Sequence, residues 1–471
     1  MTTIHQQYID VLDQLPAPYD RDRAGVGLKR LIESIQRLPD SDLKNDLKAM
    51  IGSFGASNIF ESMFGNSAFL TQAAVSDVKF LSILLSRGPN EALQQAIYPL
   101  KTGEIESDRT IITSETAKTL RVVKRHAALT IALADISGIW TQERIVHAIS
   151  ELAELSISYG VKHLLRQAHD TGTLTLPNPK NPEDGSGYIV IGMGKLGARE
   201  LNYSSDVDLT VFYDPESLSP PNPSDLQQRL TRLTRDLIQL LSERTEDGYV
   251  FRTDLRLRPD PSATPLAVSV AAAETYYEGL GQNWERAAMI KARQVAGDKK
   301  AGDRFLQRLI PFVWRKNLDF ATIQDIHAIK RQINAFKGSE TISLKGHNVK
   351  LGRGGIREVE FFIQTQQLIW GGKHPELRVN TTVGALRKFA NNGLIEDYTA
   401  KELIKAYWYL RKVEHRLQMI ADQQTHELPK SEAGLSHVAT FMGNKNVDEF
   451  QETLTKHLMT VEEHYAQLFE E

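Results

Sequence analysis

Apolar and polar positions alternate with helical spacing over most of this chain. Leu43 to Met50 and Thr116 to Ala134 carry apolar residues at steps of three and four, and Ile145, Ile149 and Leu152 continue the pattern behind Thr141, a residue suited to an N-cap. Residues 1 to about 170 therefore read as helices. The texture then breaks. Thr173 to Gly187 holds Pro177, Pro179, Pro182, Gly185 and Gly187, a loop that a helix does not cross. Tyr188-Ile-Val-Ile191 reads as a short buried strand. Asp206 to Tyr213 alternates with period two, placing Asp206, Asp208 and Thr210 on one face and Val207, Leu209, Val211 and Tyr213 on the other. A proline-rich loop through Pro220, Pro221 and Pro223 follows.

Leu226, Leu230, Leu233, Leu237 and Leu240 mark an amphipathic helix expected to stop near Gly248. Tyr249 to Arg258 alternates again and predicts a third strand, with Phe251, Leu255 and Leu257 opposite Arg252, Asp254, Arg256 and Arg258. From Ala271 onward the period is helical almost to the end. Trp284 to Arg293 is one predicted helix, and Leu403, Tyr407, Leu410, Val413, Leu417 and Ile420 form one stripe. The expectation is a mainly α protein with a central α/β domain. Its boundaries are an N-terminal helical domain at 1–135, the α/β domain at 136–305 and a C-terminal helical bundle at 306–471. One face of the sheet is expected to be covered by helices and the other to be a working surface.

Composition narrows the function. At 471 residues the chain is too long for one core. Its 56 Lys and Arg nearly balance 59 Asp and Glu, against the basic excess of a dedicated nucleic-acid binder. No cysteine is present, which excludes disulfides, thiolate metal sites and cysteine nucleophiles. No apolar run approaches the roughly 18 residues of a membrane span, and the first residues lack a secretory pattern, so a cytoplasmic address is the default expectation.

The chemistry concentrates between Ile189 and Phe212. Gly192-Met-Gly-Lys-Leu-Gly197 is a glycine turn set just before Asp206-Val-Asp208. Two carboxylates two apart on a strand point the same way and repel unless a cation lies between them. Oxygen donors suit magnesium. Asp254, on the next predicted strand, supplies a third carboxylate among arginines. Three such groups can hold two ions that clamp the entering and leaving oxygens of a phosphoryl transfer. Gly192, Gly194, Lys195, Ser204, Ser205, Arg256 and Arg258 are the candidates for binding nucleotide or phosphate. Arg286, Lys291, Glu358 and Glu360 are candidates for a supporting layer.

Each reading has a plain alternative. Asp-x-Asp alone is equally a solvated strand face; the upstream glycines and the third aspartate favour the metal site. Arg286 and Lys291 suit an ordinary solvated helix, and Glu358 and Glu360 an ordinary helix start. The glycine turn also matches G-x-G-x-x-G with Asp214 about 20 residues on, the dinucleotide-binding fingerprint. That reading leaves Asp206, Asp208 and Asp254 without a role, and Ala198 to Ser205 is short for a crossover helix. His163, His415 and His426 show no metal-ligand spacing and read as structural.

These stretches, with Asn202-Tyr-Ser-Ser-Asp-Val-Asp-Leu209, Arg252-Thr-Asp-Leu-Arg-Leu-Arg-Pro259, Trp284 to Arg293 and Leu351 to Gln364, resemble the polymerase β-like nucleotidyltransferases. More narrowly, the chain resembles the bacterial bifunctional glutamine synthetase adenylyltransferase/adenylyl-removing enzymes, whose two homologous halves each carry such a site. One half attaches AMP to a tyrosine of glutamine synthetase, using ATP. The other removes it with phosphate and releases ADP. One copy of the motifs occurs here, so the resemblance implies one half, the leading part of a longer protein. Leu351 to Gln364, Leu368-Ile-Trp-Gly-Gly372 and Tyr8 to Pro16 resemble the adenylyl-removing half. The resemblance implies Mg2+ as cofactor, glutamine synthetase as protein substrate, and a PII signalling protein and glutamine as effectors. In the polymerase β-like superfamily the turn usually opens with Gly-Ser, whose serine binds phosphate. Here Gly192-Met193 or Gly194-Lys195 stands in its place, leaving Lys195, Ser204 and Ser205 as alternatives for the phosphate ligand. Two other functions remain open: ATP-dependent adenylylation by the same fold, and a regulatory binding module.

Overall fold

The computed structural model describes residues 4–102, 112–217, 225–316 and 342–467. The predicted loop at Pro220, Pro221 and Pro223 lies outside them. Helices fill the N-terminal third, ending with Ile112–Ile136 and the 29-residue Gln142–Asp170 helix, whose first turn is capped by Thr141 accepting from the Arg144 N–H. Helices also fill the described C-terminal part, including Ile356–Trp370, Asp397–Ala421 and Val447–Gln467. Between the two blocks lies a five-stranded sheet: β1 (Tyr188–Gly192), β2 (Val207–Tyr213), β3 (Thr253–Asp254), β4 (Ala267–Ser269) and β5 (Arg293–Gly297). The path runs β3-β2-β1-β5, and β4 pairs with β2.

β1 pairs antiparallel with both β2 and β5, whereas β2 runs parallel to β3 and β4. A dinucleotide-binding unit needs a parallel neighbour after a crossover helix. The four-residue Gly194–Gly197 helix instead returns the chain antiparallel, which removes the basis of that reading.

Both faces of the sheet are covered, contrary to the expected open face. Tyr188, Val190, Val207, Leu209 and Val211 pack into the core shared with the N-terminal helices. Ile189, Ile191, Phe212 and Val268 pack on the other side, against Ala273, Tyr277, Phe305 and Leu309. Period two thus distributes side chains between two apolar layers. What remains accessible is the end of β2 where Asp206 and Asp208 enter.

Three element boundaries differ from expectation. The Leu226–Ser242 helix stops six residues before Gly248. Buried Arg121 explains the early end, donating to the carbonyls of Glu243 (2.5 Å) and Gly248 (3.0 Å) where a glycine cap was expected. The third strand shrinks to two residues. Val250 and Phe251 donate to the Leu241 carbonyl instead of to a strand, and Asp254 captures the Arg256 N–H at 2.8 Å, turning the chain away. Trp284 to Arg293 is not one helix: Asn283–Met289 is helical behind a Gln282/Glu285 capping box, and Arg293 opens β5.

The stripe on Asp397–Ala421 faces the C-terminal core as expected, with Leu403, Tyr407, Leu410, Val413 and Leu417 all buried there. Its opposite face, Arg411, His415 and Gln418, is also buried, against the sheet domain. Among the described residues no single helix is long and apolar enough to cross a membrane.

Candidate active site

Register brings the third aspartate to the first two. β2 and β3 run side by side with Val207 opposite Thr253 and Asp208 opposite Asp254. Asp206 immediately precedes β2. The glycine turn lies over this pair: the Met193 N–H donates to the Asp208 carbonyl at 2.8 Å, and a Cβ built on Gly194 would meet Asp208 Oδ2 at 2.8 Å. Gly194 has φ of +52°, a conformation glycine reaches freely. Only a residue without a side chain lets the turn and the carboxylate approach this closely.

The carboxylates differ in electrostatics. Burial, then the charges of Asp254 and Asp206, push the Asp208 carboxyl up to about 6 against the opposing pull of Lys350 and Lys195. Asp254 is held below the usual range by its hydrogen bonds from Arg256, whose side chain is otherwise exposed. Asp206 accepts from Arg252 Nε at 3.0 Å. Among the described residues no three acidic or histidine side chains are already gathered as a metal cage, since Asp206 and Asp254 each face an arginine. The donor set nevertheless fits a hard divalent cation: it is all oxygen, and its innermost member carries an unfavourable buried charge that such an ion would relieve.

The other predicted residues divide. Gly192 is packed too closely against Val295 and Leu196 for a side chain, so it serves the turn's packing. Among the described residues Ser205 Oγ and Thr253 Oγ1 are buried without a hydrogen-bond partner, and Ser205 adjoins Asp206. Ser204 is engaged, its hydroxyl with Asp422 (3.0 Å) and Arg252, its N–H with Gln418 (2.9 Å). Lys195 is buried and donates to both oxygens of Glu414 at 3.0 and 3.1 Å. Arg256 sits at the mouth on Asp254. Arg258 braces its own loop through the carbonyls of Leu255, Pro261 and Thr264.

The supporting candidates join different elements to one another. Lys291 donates to Glu360 at 2.7 Å and lies 3.4 Å from Glu200. Burial opposes the charge on Glu360, but Lys291, Arg357 and Lys195 outweigh it and hold its carboxyl at about 2. Arg286 donates to the Phe312 carbonyl and to Asn283. Glu358 accepts the Gly354 N–H of the glycine turn before its helix.

Sequence reasoning missed the face of Asp397–Ala421 that grips the segment between the glycine turn and β2. Arg411 donates to the Glu200 carbonyl (2.6 Å) and to the Asn202 side chain, His415 contacts Asn202 and Asp135, and Arg416 pairs with Asp135 at 3.0 Å. Asp422, closing the helix, accepts from Tyr249. The spacing of 411, 415, 418 and 422 is one helical face. Its polarity alone reads as a solvated surface, so only the partners across the interface reveal it.

Residues 58–308 match the model of the glutamate-ammonia ligase adenylyltransferase family, and residues 327–469 match that of GlnD PII-uridylyltransferase. The chain is similar to the bifunctional glutamine synthetase adenylyltransferase/adenylyl-removing enzymes of Rhizobium meliloti (51% identity over 87% of this chain and 42% of the relative), Agrobacterium fabrum (48%, over 90% and 43%) and Brucella melitensis (47%, over 96% and 46%). It spans less than half the length of these relatives.

Proposed function

From the premise that this chain belongs to the glutamate-ammonia ligase adenylyltransferase family, we propose that it is a nucleotidyltransferase acting on glutamine synthetase. The observation that carries the reading is the register of Asp208 against Asp254, with Asp206 one step away, beneath a glycine turn. The reaction assigned is removal of AMP from an adenylylated tyrosine. The wording of Leu351 to Gln364, which resembles the adenylyl-removing half, supports that direction.

In this reaction an oxygen of hydrogen phosphate attacks the α-phosphorus. A new P–O bond forms, the bond from phosphorus to the tyrosine oxygen breaks, the proton carried by hydrogen phosphate ends on that oxygen, and ADP leaves. Asp206, Asp208 and Asp254 would hold Mg2+, which when bound supplies Lewis acidity toward the phosphoryl oxygens. The chain's own residues do the positioning. Gly194 keeps a side chain out of the space above Asp208, and Gly192 lets the turn pack against Val295 and Leu196. Ser205 offers an uncommitted hydroxyl beside Asp206. Arg256, exposed where it pairs with Asp254, can exchange that carboxylate for a phosphate oxygen when the carboxylate turns inward. The three-block division at 135/136 and 305/306 belongs to this reading, as do PII and glutamine as effectors.

Incubation with adenylylated glutamine synthetase, magnesium and phosphate tests the reading: ADP and the free tyrosine are expected in equal amounts. Labelling of unmodified glutamine synthetase from ATP, with no ADP released by phosphorolysis, reverses the direction. Substitution of Asp206 and Asp208 by Asn separates an enzyme, which loses turnover and keeps partner binding, from a binding module, which is unaffected.

A further inference from the structure

Lys350 is the cation near Asp208 that the account above leaves without a role. It lies in the Lys350-Leu-Gly-Arg-Gly-Gly355 turn, far in sequence from the sheet. The backbone carries it there through a chain of contacts. Asn348 forms an antiparallel bridge with Glu427, and the Val349 N–H donates to the His426 carbonyl at 2.8 Å. His426 Nδ1 is 2.7 Å from Glu414, and Glu414 holds Lys195 beside the glycine turn. The position is rigid. The Lys350 N–H donates to Asn348 Oδ1 at 3.0 Å, its carbonyl accepts the Arg357 N–H at 3.0 Å, and a Cβ on Gly354 would lie 2.0 Å from the Leu458 carbonyl oxygen. The turn is therefore pressed against the Val447–Gln467 helix.

The two lysines near Asp208 are not equivalent. Lys195 is buried and neutralised by Glu414. Lys350 is partly buried, and among the described residues its ammonium makes no hydrogen bond and no ion pair. Its charge acts on both the Asp208 carboxyl and Lys195, and the backbone contacts through His426 and Glu414 bring its turn to the same side of the site. An ammonium held by a rigid backbone at the rim of an acidic site, with three unfilled donors, is suited to a mobile anion.

We propose that Lys350 is a phosphate-binding residue of this site, contributed by the C-terminal helical block, and that it grips the phosphoryl group farther from the nucleoside. This rests on the nucleotidyltransferase reading and extends it: the sheet supplies the carboxylates, and the C-terminal block supplies the cation for the incoming phosphate.

ADP is the probe, because it carries that phosphoryl group, and AMP is the control. Binding to the whole chain is measured by calorimetry with and without magnesium, beside the KM for phosphate in ADP release. Lys350→Met should weaken ADP at least tenfold, leave AMP within threefold, and raise the KM for phosphate at least tenfold with a smaller change in kcat. Lys350→Arg should restore most of the ADP affinity. An unchanged melting temperature excludes a folding defect. If Lys350→Met binds ADP like the parent chain while Asp208→Asn abolishes turnover, the role of Lys350 is overturned and the nucleotidyltransferase reading stands. If the parent chain neither binds ADP nor releases it, the reading itself falls and this inference with it.

Discussion

On the proposed function, Asp208 is where activity and stability oppose each other. Its carboxyl is pushed up to about 6 by burial and by Asp254 and Asp206. A folded value above the unfolded one means that the folded chain binds the extra proton between about pH 4 and 6, so this group costs stability as pH rises through that window. Asp208→Asn should therefore stabilise the metal-free chain at pH 7, by about 3 kcal/mol from a shift of about two units, while lowering turnover by about a hundred- to a thousandfold, the scale expected for removing electrostatic stabilisation at the reacting group. Thermal melts beside single-turnover assays check both halves; a destabilised and active variant contradicts the assignment. Magnesium affinity should fall as pH drops below about 6, because the proton competes for the same oxygens, and should level off above it. Gly194→Ala tests the turn. Its added carbon would crowd Asp208 in a left-handed conformation, so a loss of about 1–3 kcal/mol is expected together with weakened metal binding.

Elements show how much of this was legible beforehand. β1, β2, the Leu226–Ser242 helix and the stripe on Asp397–Ala421 follow from apolar periodicity, because local pattern and burial agree there. The third strand misled because its alternation of Phe251, Leu255 and Leu257 with charged residues is real, but Asp254 hydrogen-bonds the next turn and stops the ladder after two residues. β5 was hidden behind the helical Trp284 segment. Asp206, Asp208 and Asp254 were readable because their residue type and spacing imply a chemistry. Lys350, Gln418 and Asp422 were not, because their meaning arises only from partners 140 or more residues away in sequence. The buried ion pairs carry a prediction of their own. Burial opposes the charges on Glu414 and Asp135, yet Lys195, His426 and Arg411 around the first, and Arg416 and His415 around the second, hold both carboxyls well down. Carboxylates depressed in the folded state contribute stability above their unfolded values and lose it as pH falls. Acid unfolding should thus set in below about pH 4, and Asp135→Ala, which strands buried Arg416, should cost about 3–5 kcal/mol at neutral pH. A loss under 1 kcal/mol in denaturant titrations would mean that the network is not structural.

The whole molecule is organised around one seam. Asp135 from the N-terminal helices, Asn202 and Lys195 from the sheet domain, and Arg411 to Arg416 from the C-terminal block meet in a single buried polar cluster behind the glycine turn. Partly satisfied networks of this kind are costly, so the three parts should hold or release them together. Calorimetry of the chain should show one main transition, which Asp135→Ala moves as a unit; separate transitions for the blocks would count against shared support of the site. The central claim is that the carboxylates of two neighbouring strands transfer the adenylyl group to phosphate, and its most direct measurement is product identity. With adenylylated glutamine synthetase, magnesium and radiolabelled phosphate, the account predicts label in the β-phosphate of ADP, none in AMP, and no release from the Asp206→Asn/Asp208→Asn chain. Unlabelled AMP as the product, or ADP formation that survives both substitutions, would contradict it.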